Sequence, residues 1–121
     1  MATLSNLGAL INFKLAQGAT WQNDFKWIDK TNNTPINLAG YTAKLEIRNK
    51  PGGNVLYHTS STANGEITLD EQNGIFKIEI PAVATEAFNF KVAHYDFEAY
   101  SGSRVYRIAQ GSVELNKEVT K

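Results

Sequence analysis

The feature that most constrains this chain is a period-two alternation of apolar and polar residues, repeated along most of its length between Ala9 and Leu115 and punctuated by Gly, Asn, Pro and Asp clusters. Successive side chains of an extended strand point to opposite faces, so such a pattern describes strands half buried against a core. Tyr41 to Asn49 shows it best, with Tyr41, Ala43, Leu45 and Ile47 facing one way and Thr42, Lys44, Glu46 and Arg48 the other. Ile75 to Ile80 places Phe76, Ile78 and Ile80 inward and Lys77 and Glu79 outward, and Pro81 closes it. Ala9 to Ala16 sets Ile11, Phe13 and Leu15 against Asn12 and Lys14, and Ala19 to Ile28 sets Trp21, Phe25 and Trp27 against Gln22, Asp24 and Lys26. Val55 to Thr59, Glu66 to Leu69, Phe90 to Tyr100 and Val105 to Leu115 complete the set.

The segments between these strands carry turn chemistry. Residues Asp29 to Pro35 and Pro51-Gly52-Gly53-Asn54 are turns by composition, Asn64-Gly65 and Asn73-Gly74 suit turns that need positive φ, and Ser101-Gly102-Ser103 reads as a hairpin tip. Pro81 to Phe88 is the only stretch of helix-forming composition, about two turns at most, and reads as a crossover between sheets. In the last strand the parity switches: Tyr106 and Ile108 share a face, whereas Val113 and Leu115 are at odd positions. A one-residue slip reverses every side chain, so a bulge is expected, at Gln110-Gly111. The expected fold is an all-β, antiparallel two-sheet sandwich of immunoglobulin-like kind, with about eight strands and one short helical crossover; a small closed barrel is the structural alternative. The 121 residues make one domain, 1–121, whose ends, 1–8 and 116–121, are expected to be flexible or partner-bound.

With 42% hydrophobic residues the chain can bury a core, and twelve Lys and Arg balance twelve Asp and Glu with no run of like charge. That balance speaks against nucleic acid or an anionic membrane as partner, and it permits packing beside further copies. The chain lacks cysteine, which removes disulfides, thiolate metal sites and Cys nucleophiles. The N-terminus has neither a basic leader nor a long apolar run, so it is read as neither a signal peptide nor a membrane span.

Candidate chemistry is sparse. His94, Asp96 and Glu98 project from one strand face as a ladder that would suit zinc or calcium, but three ligands on one strand rarely converge on one ion, and cross-strand ion pairs are the plainer reading. Asp96 and Glu98 also meet the carboxylate spacing of a glycosidase, as any i, i+2 strand pair does at roughly 6.6 Å. His58, the other histidine, has no evident partner in the sequence. No Gly-x-Ser-x-Gly elbow or phosphate loop is present, and Asn32-Asn33-Thr34 reads as a turn although it matches a glycosylation sequon. Trp21, Trp27, Tyr41, Tyr95, Tyr100 and Tyr106 could form a sugar platform or fill a core, and their alternation favours the core. No catalytic, metal-binding or cofactor-binding residue is assigned, and no cofactor is expected.

Five segments carry a resemblance to a known family. They are Gly18-Ala19-Thr20-Trp21 leading to Phe25-Lys26-Trp27-Ile28-Asp29, then Pro35 to Arg48, Gly74-Ile75-Phe76-Lys77-Ile78, Tyr95-Asp96-Phe97-Glu98, and Arg107 to Val113. Together the chain resembles small structural proteins of tailed bacteriophages, found as tail-collar proteins and as the N-terminal domain of upper baseplate proteins. The resemblance implies a non-enzymatic, immunoglobulin-like virion component, made in the host cytoplasm, that forms a homo-oligomeric ring around the tail and supports or anchors fibres. Its partners would be its own copies and other tail proteins or fibres. In contrast to the longer baseplate relatives, the chain shows no C-terminal extension for a second domain, which argues against direct receptor attachment. The rival reading is a small carbohydrate-binding β-sandwich module that stacks sugars on Trp21 or Trp27.

Overall fold

The computed structural model describes residues 2–117. They form eleven strands and one helix: β1 (Ala2–Leu4), β2 (Ala9–Leu10), β3 (Phe13–Ala16), β4 (Trp21–Asp29), β5 (Thr34–Pro35), β6 (Thr42–Arg48), β7 (Leu56–Ser61), β8 (Ile67–Asp70), β9 (Ile75–Ile80), α1 (Ala82–Glu86), β10 (Val92–Ser101) and β11 (Arg104–Asn116). The strands pair into two sheets. The first runs β1-β4-β9-β8 with β5 on β4, and the second runs β2-β11-β10-β6-β7 with β3 also on β11. Two separate sheets exclude the closed barrel.

The alternation places the core as expected. Phe25 and Trp27 of β4, Phe76, Ile78 and Ile80 of β9, Leu45 and Ile47 of β6, and Tyr95 and Phe97 of β10 are all buried between the sheets. Phe97 meets Phe25 at 5.0 Å and Phe76 at 5.1 Å between ring centroids, so one ring of the second sheet locks onto two of the first. Helix α1 carries the chain from β9 in the first sheet to β10 in the second, as its composition suggested. Thr85, fully buried, anchors it: its hydroxyl donates to the Ala19 carbonyl and accepts from the Gly18 N–H.

Three expectations change. The sheets are mixed, because the N-terminal strands pair in parallel, β1 with β4 and β2 and β3 with β11, while every other pairing is antiparallel. Residues near the N-terminus, expected to be flexible or partner-bound, pair within the chain: β1 buries Leu4, and Gly8 donates to the Arg107 carbonyl. Met1 and residues 118–121 of the two expected flexible ends lie outside the described residues, whereas Asn116 pairs with Ala16. The strand expected over Ala9 to Ala16 is broken at Ile11 and Asn12, and with the added short strands β1 and β5 the expected eight become eleven. The break has a local cause: the Ile11 carbonyl turns to accept the Tyr95 hydroxyl at 2.7 Å, and Asn12 Oδ1 accepts the Ser112 N–H.

The parity switch in β11 is also real, but its bulge lies earlier. Phe97 pairs with Ala109 and Glu98 with Arg107, leaving Ile108 as the extra residue, and Ile108 and Ala109 are buried side by side. Gly111, where the bulge was expected, has another task. A Cβ there would lie 2.1 Å from the Ile11 carbonyl oxygen, so the missing side chain is what lets the N-terminal segment close onto β11.

Candidate functional site

The outer face of the second sheet holds the residues that the sequence singles out. His94, Asp96 and Glu98 stand on β10 between Arg48, Glu46 and Lys44 of β6 on one side and Ser112, Gln110 and Arg107 of β11 on the other. Lys44 and Arg48 both reach Glu46, at 3.9 and 3.3 Å, and Arg107 reaches Glu98 at 3.6 Å. Glu98 also accepts the Tyr100 hydroxyl at 3.0 Å, and this acceptor together with burial pushes the Tyr100 phenol up to about 12. Of the ladder only Glu98 is paired across strands, with Arg107, while the Glu46 pairs run along β6, and among the described residues no three His, Cys, Asp or Glu side chains gather closely enough to hold a metal ion. His94 Nε2 lies 3.6 Å from Asp96 Oδ1, beyond hydrogen-bond reach, and has no other partner among the described residues.

The aromatic candidates divide. Tyr95 and Trp27 are buried, and Trp21, Tyr41 and Tyr106 are half-buried against the core. Trp27 sits edge-on to Tyr41 at 5.9 Å and against Tyr106 at 5.3 Å, and Trp21 packs edge-on against Phe13 at 5.0 Å. Trp27 is thereby enclosed, whereas Trp21 keeps part of its indole at the surface. Tyr100 alone belongs to the outer face. In the 29–35 turn, Asn33 takes a positive φ of 55° and donates its N–H to the Asp29 carbonyl, so the sequon is occupied by turn geometry.

Two open grooves flank the sandwich. One, about 530 Å³, lies over the first sheet among Gln22, Asp24, Glu66, Thr68, Lys77 and Glu79, and Gln22 already donates to Glu79. The other, about 460 Å³, runs between β7 and the end of α1 and is lined by Tyr57, His58, Phe88 and Phe90. A constellation that sequence reasoning missed joins the two sheets beside them. His58 Nε2 meets Glu66 Oε1 at 2.7 Å, and the fully buried Ser60 donates to the same oxygen at 2.8 Å. Residues eight and six positions apart, two on β7 and one just ahead of β8, leave no spacing signal. The visible hint was an acidic residue immediately after the Asn64-Gly65 turn.

Five of the exposed apolar side chains lie at the margins of the second sheet, while Val83 lies on α1, Val92 on β10 and Val105 on β11. Leu7 and Leu10 stand at the β2 edge, and Val55, Leu56 and Tyr57 at the β7 edge. The Asn64 side chain covers part of the latter, donating to the Thr59 carbonyl and accepting from the Ser61 N–H.

With that geometry in hand, comparison with known proteins points in one direction. The profile of the BppU N-terminal domain matches residues 8–100. The N-terminal domain of phage TP901-1 ORF48 is similar in structure, with a TM-score of 0.52 at 14% identity over 96% of this chain and 94% of that one, a likeness of fold. No curated protein matches the chain.

Proposed function

The chain belongs to the family of BppU N-terminal domains, the N-terminal domain of the phage baseplate upper protein, and from that premise we propose that it is a ring subunit of a phage tail collar or baseplate. In this reading it is a single domain of immunoglobulin-like kind, made in the host cytoplasm and incorporated into the virion. It packs beside identical copies, contacts other tail proteins and supports or anchors fibres, and it performs no catalysis. The observation that carries the reading is the family match over residues 8–100. It is supported by an outer sheet face whose charges pair with one another instead of converging on a substrate.

The test is mass spectrometry of purified phage particles followed by electron microscopy of the tail. The chain is expected as a stoichiometric component at a symmetric ring; particles that lack it would end the proposal. An Asp96→Asn/Glu98→Gln variant is expected to assemble into particles as the parent does, and a variant that assembles normally but abolishes an enzymatic step of infection would instead assign chemistry to these acids.

A further inference from the structure

Charge is distributed along this chain in an uneven way that the fold makes intelligible. Of its twelve basic and twelve acidic residues, Lys14 alone falls within residues 1–23 or 51–65. In the fold these two stretches supply opposite margins of the second sheet, β2 and β3 at one side and β7 at the other. Free strand edges are normally guarded by charged side chains, because unpaired backbone groups recruit other strands. The first sheet shows such a guard at β8, which ends in Asp70 and is followed by Glu71. Both margins of the second sheet are nearly without one, and both carry exposed apolar side chains, Leu10 being 74% exposed and Leu56 45%.

We propose that copies of this chain join head to tail through these two margins, the β2–β3 edge of one copy lying antiparallel beside the β7 edge of the next. The inference rests on the ring reading above and names its contact surfaces. Strand directions suit it. β3 and β2 run parallel to β11, and the steps from β11 to β10, β6 and β7 are each antiparallel, so β7 runs opposite to β2 and β3. A rotation about an axis along the strands therefore brings antiparallel edges together, and a contact between two different surfaces is the kind that closes into a ring. The register supports one particular meeting point. Leu10 pairs with Gln110, Gln110 with Asp96, Asp96 with Glu46 and Glu46 with Thr59, so Leu10 and Thr59 end a single rung across the whole sheet. Burying these margins desolvates little charge, Lys14 at one and at the other Glu66, which His58 and Ser60 of β7 already hold, whereas burying the β8 edge would enclose the carboxylates of Asp70 and Glu71. Asn64, bonded to Thr59 and Ser61, shields this edge in the single chain and must turn aside when a strand is added.

The absence of native cysteine makes a direct test clean. Leu10 and Thr59 are four strand spacings apart within one copy, roughly 19 Å, too far for an internal disulfide. Oxidised Leu10→Cys/Thr59→Cys protein at high concentration is expected to give a ladder of covalent multimers on a non-reducing gel. Sedimentation of the unmodified chain is expected to show association that Leu10→Lys weakens at least tenfold without changing the melting temperature. A chain that stays monomeric throughout, with no ladder, overturns both the ring and its edges. Association that survives Leu10→Lys, or dimers that form from Thr59→Cys alone, overturns the edge assignment and leaves the ring standing.

Discussion

At the scale of single residues, the most informative positions are those where the inward pattern carries a side chain that does not belong there. Asn23 has the same parity as Trp21 and Phe25 and faces Ile78 across the sheet, and its Nδ2 is enclosed without a hydrogen-bond partner among the described residues. An unmet buried donor costs about 1–3 kcal/mol, so Asn23→Val is expected to stabilise the protein by about that amount in denaturant melts. Gly111 is the converse case, since any side chain there meets the Ile11 carbonyl. Gly111→Ala is expected to cost about 1–3 kcal/mol, read in the same melts, by pushing the N-terminal segment off β11. Tyr95 and Tyr100 couple the fold to alkaline pH. Burial raises both phenols, with neighbouring carboxylates adding to the effect, so the folded protein holds protons that the unfolded chain releases. Their contribution is complete below pH 10 and is lost above it. Stability is expected to fall between pH 10 and 12, and less steeply in Tyr100→Phe, which thermal melts across that range would show.

At the scale of elements, the alternation located nearly every long strand, because a half-buried strand has only one way to satisfy it. β6, β9 and β10 match their expected spans closely, and their inward residues are the buried ones. Trp27→Ala is expected to cost about 3–5 kcal/mol, since this indole is buried against Tyr41 and Tyr106. The parity change in β11 announced a bulge, but its place depended on which partner residues slide, and that is settled by β10 at Phe97 and Glu98. Deleting Ile108 would restore simple alternation, with Tyr106, Val113 and Leu115 on one inward face, and would remove one buried side chain. Circular dichroism is expected to show a cooperative melt for that variant, destabilised by about 2–5 kcal/mol through the lost burial. The short strands β1 and β5 escaped notice because two or three residues carry no measurable period.

At the scale of the whole molecule, the balance of charge conceals a division of labour. The faces carry the ion pairs, whereas the margins of the second sheet are almost bare of charge, an arrangement that suits a subunit sitting beside copies of itself. The candidate chemistry was legible in outline. Asp96 and Glu98 had the spacing of a solvated strand face, and the fold surrounds them with Lys44, Glu46 and Arg107. The His58, Ser60 and Glu66 clasp was not legible, because a contact between sheets leaves no trace in local spacing. By itself the sequence determined the all-β class, the inward faces of the strands and the presence of a bulge, since each follows from the geometry of an extended chain and from the preference of apolar groups for burial. Only the tertiary structure decided the parallel pairing of the N-terminal strands, the position of the bulge and the placement of β2 and β3 opposite β7 at the two margins of one sheet. Those depend on which strands meet, and strand pairing joins residues far apart in the chain.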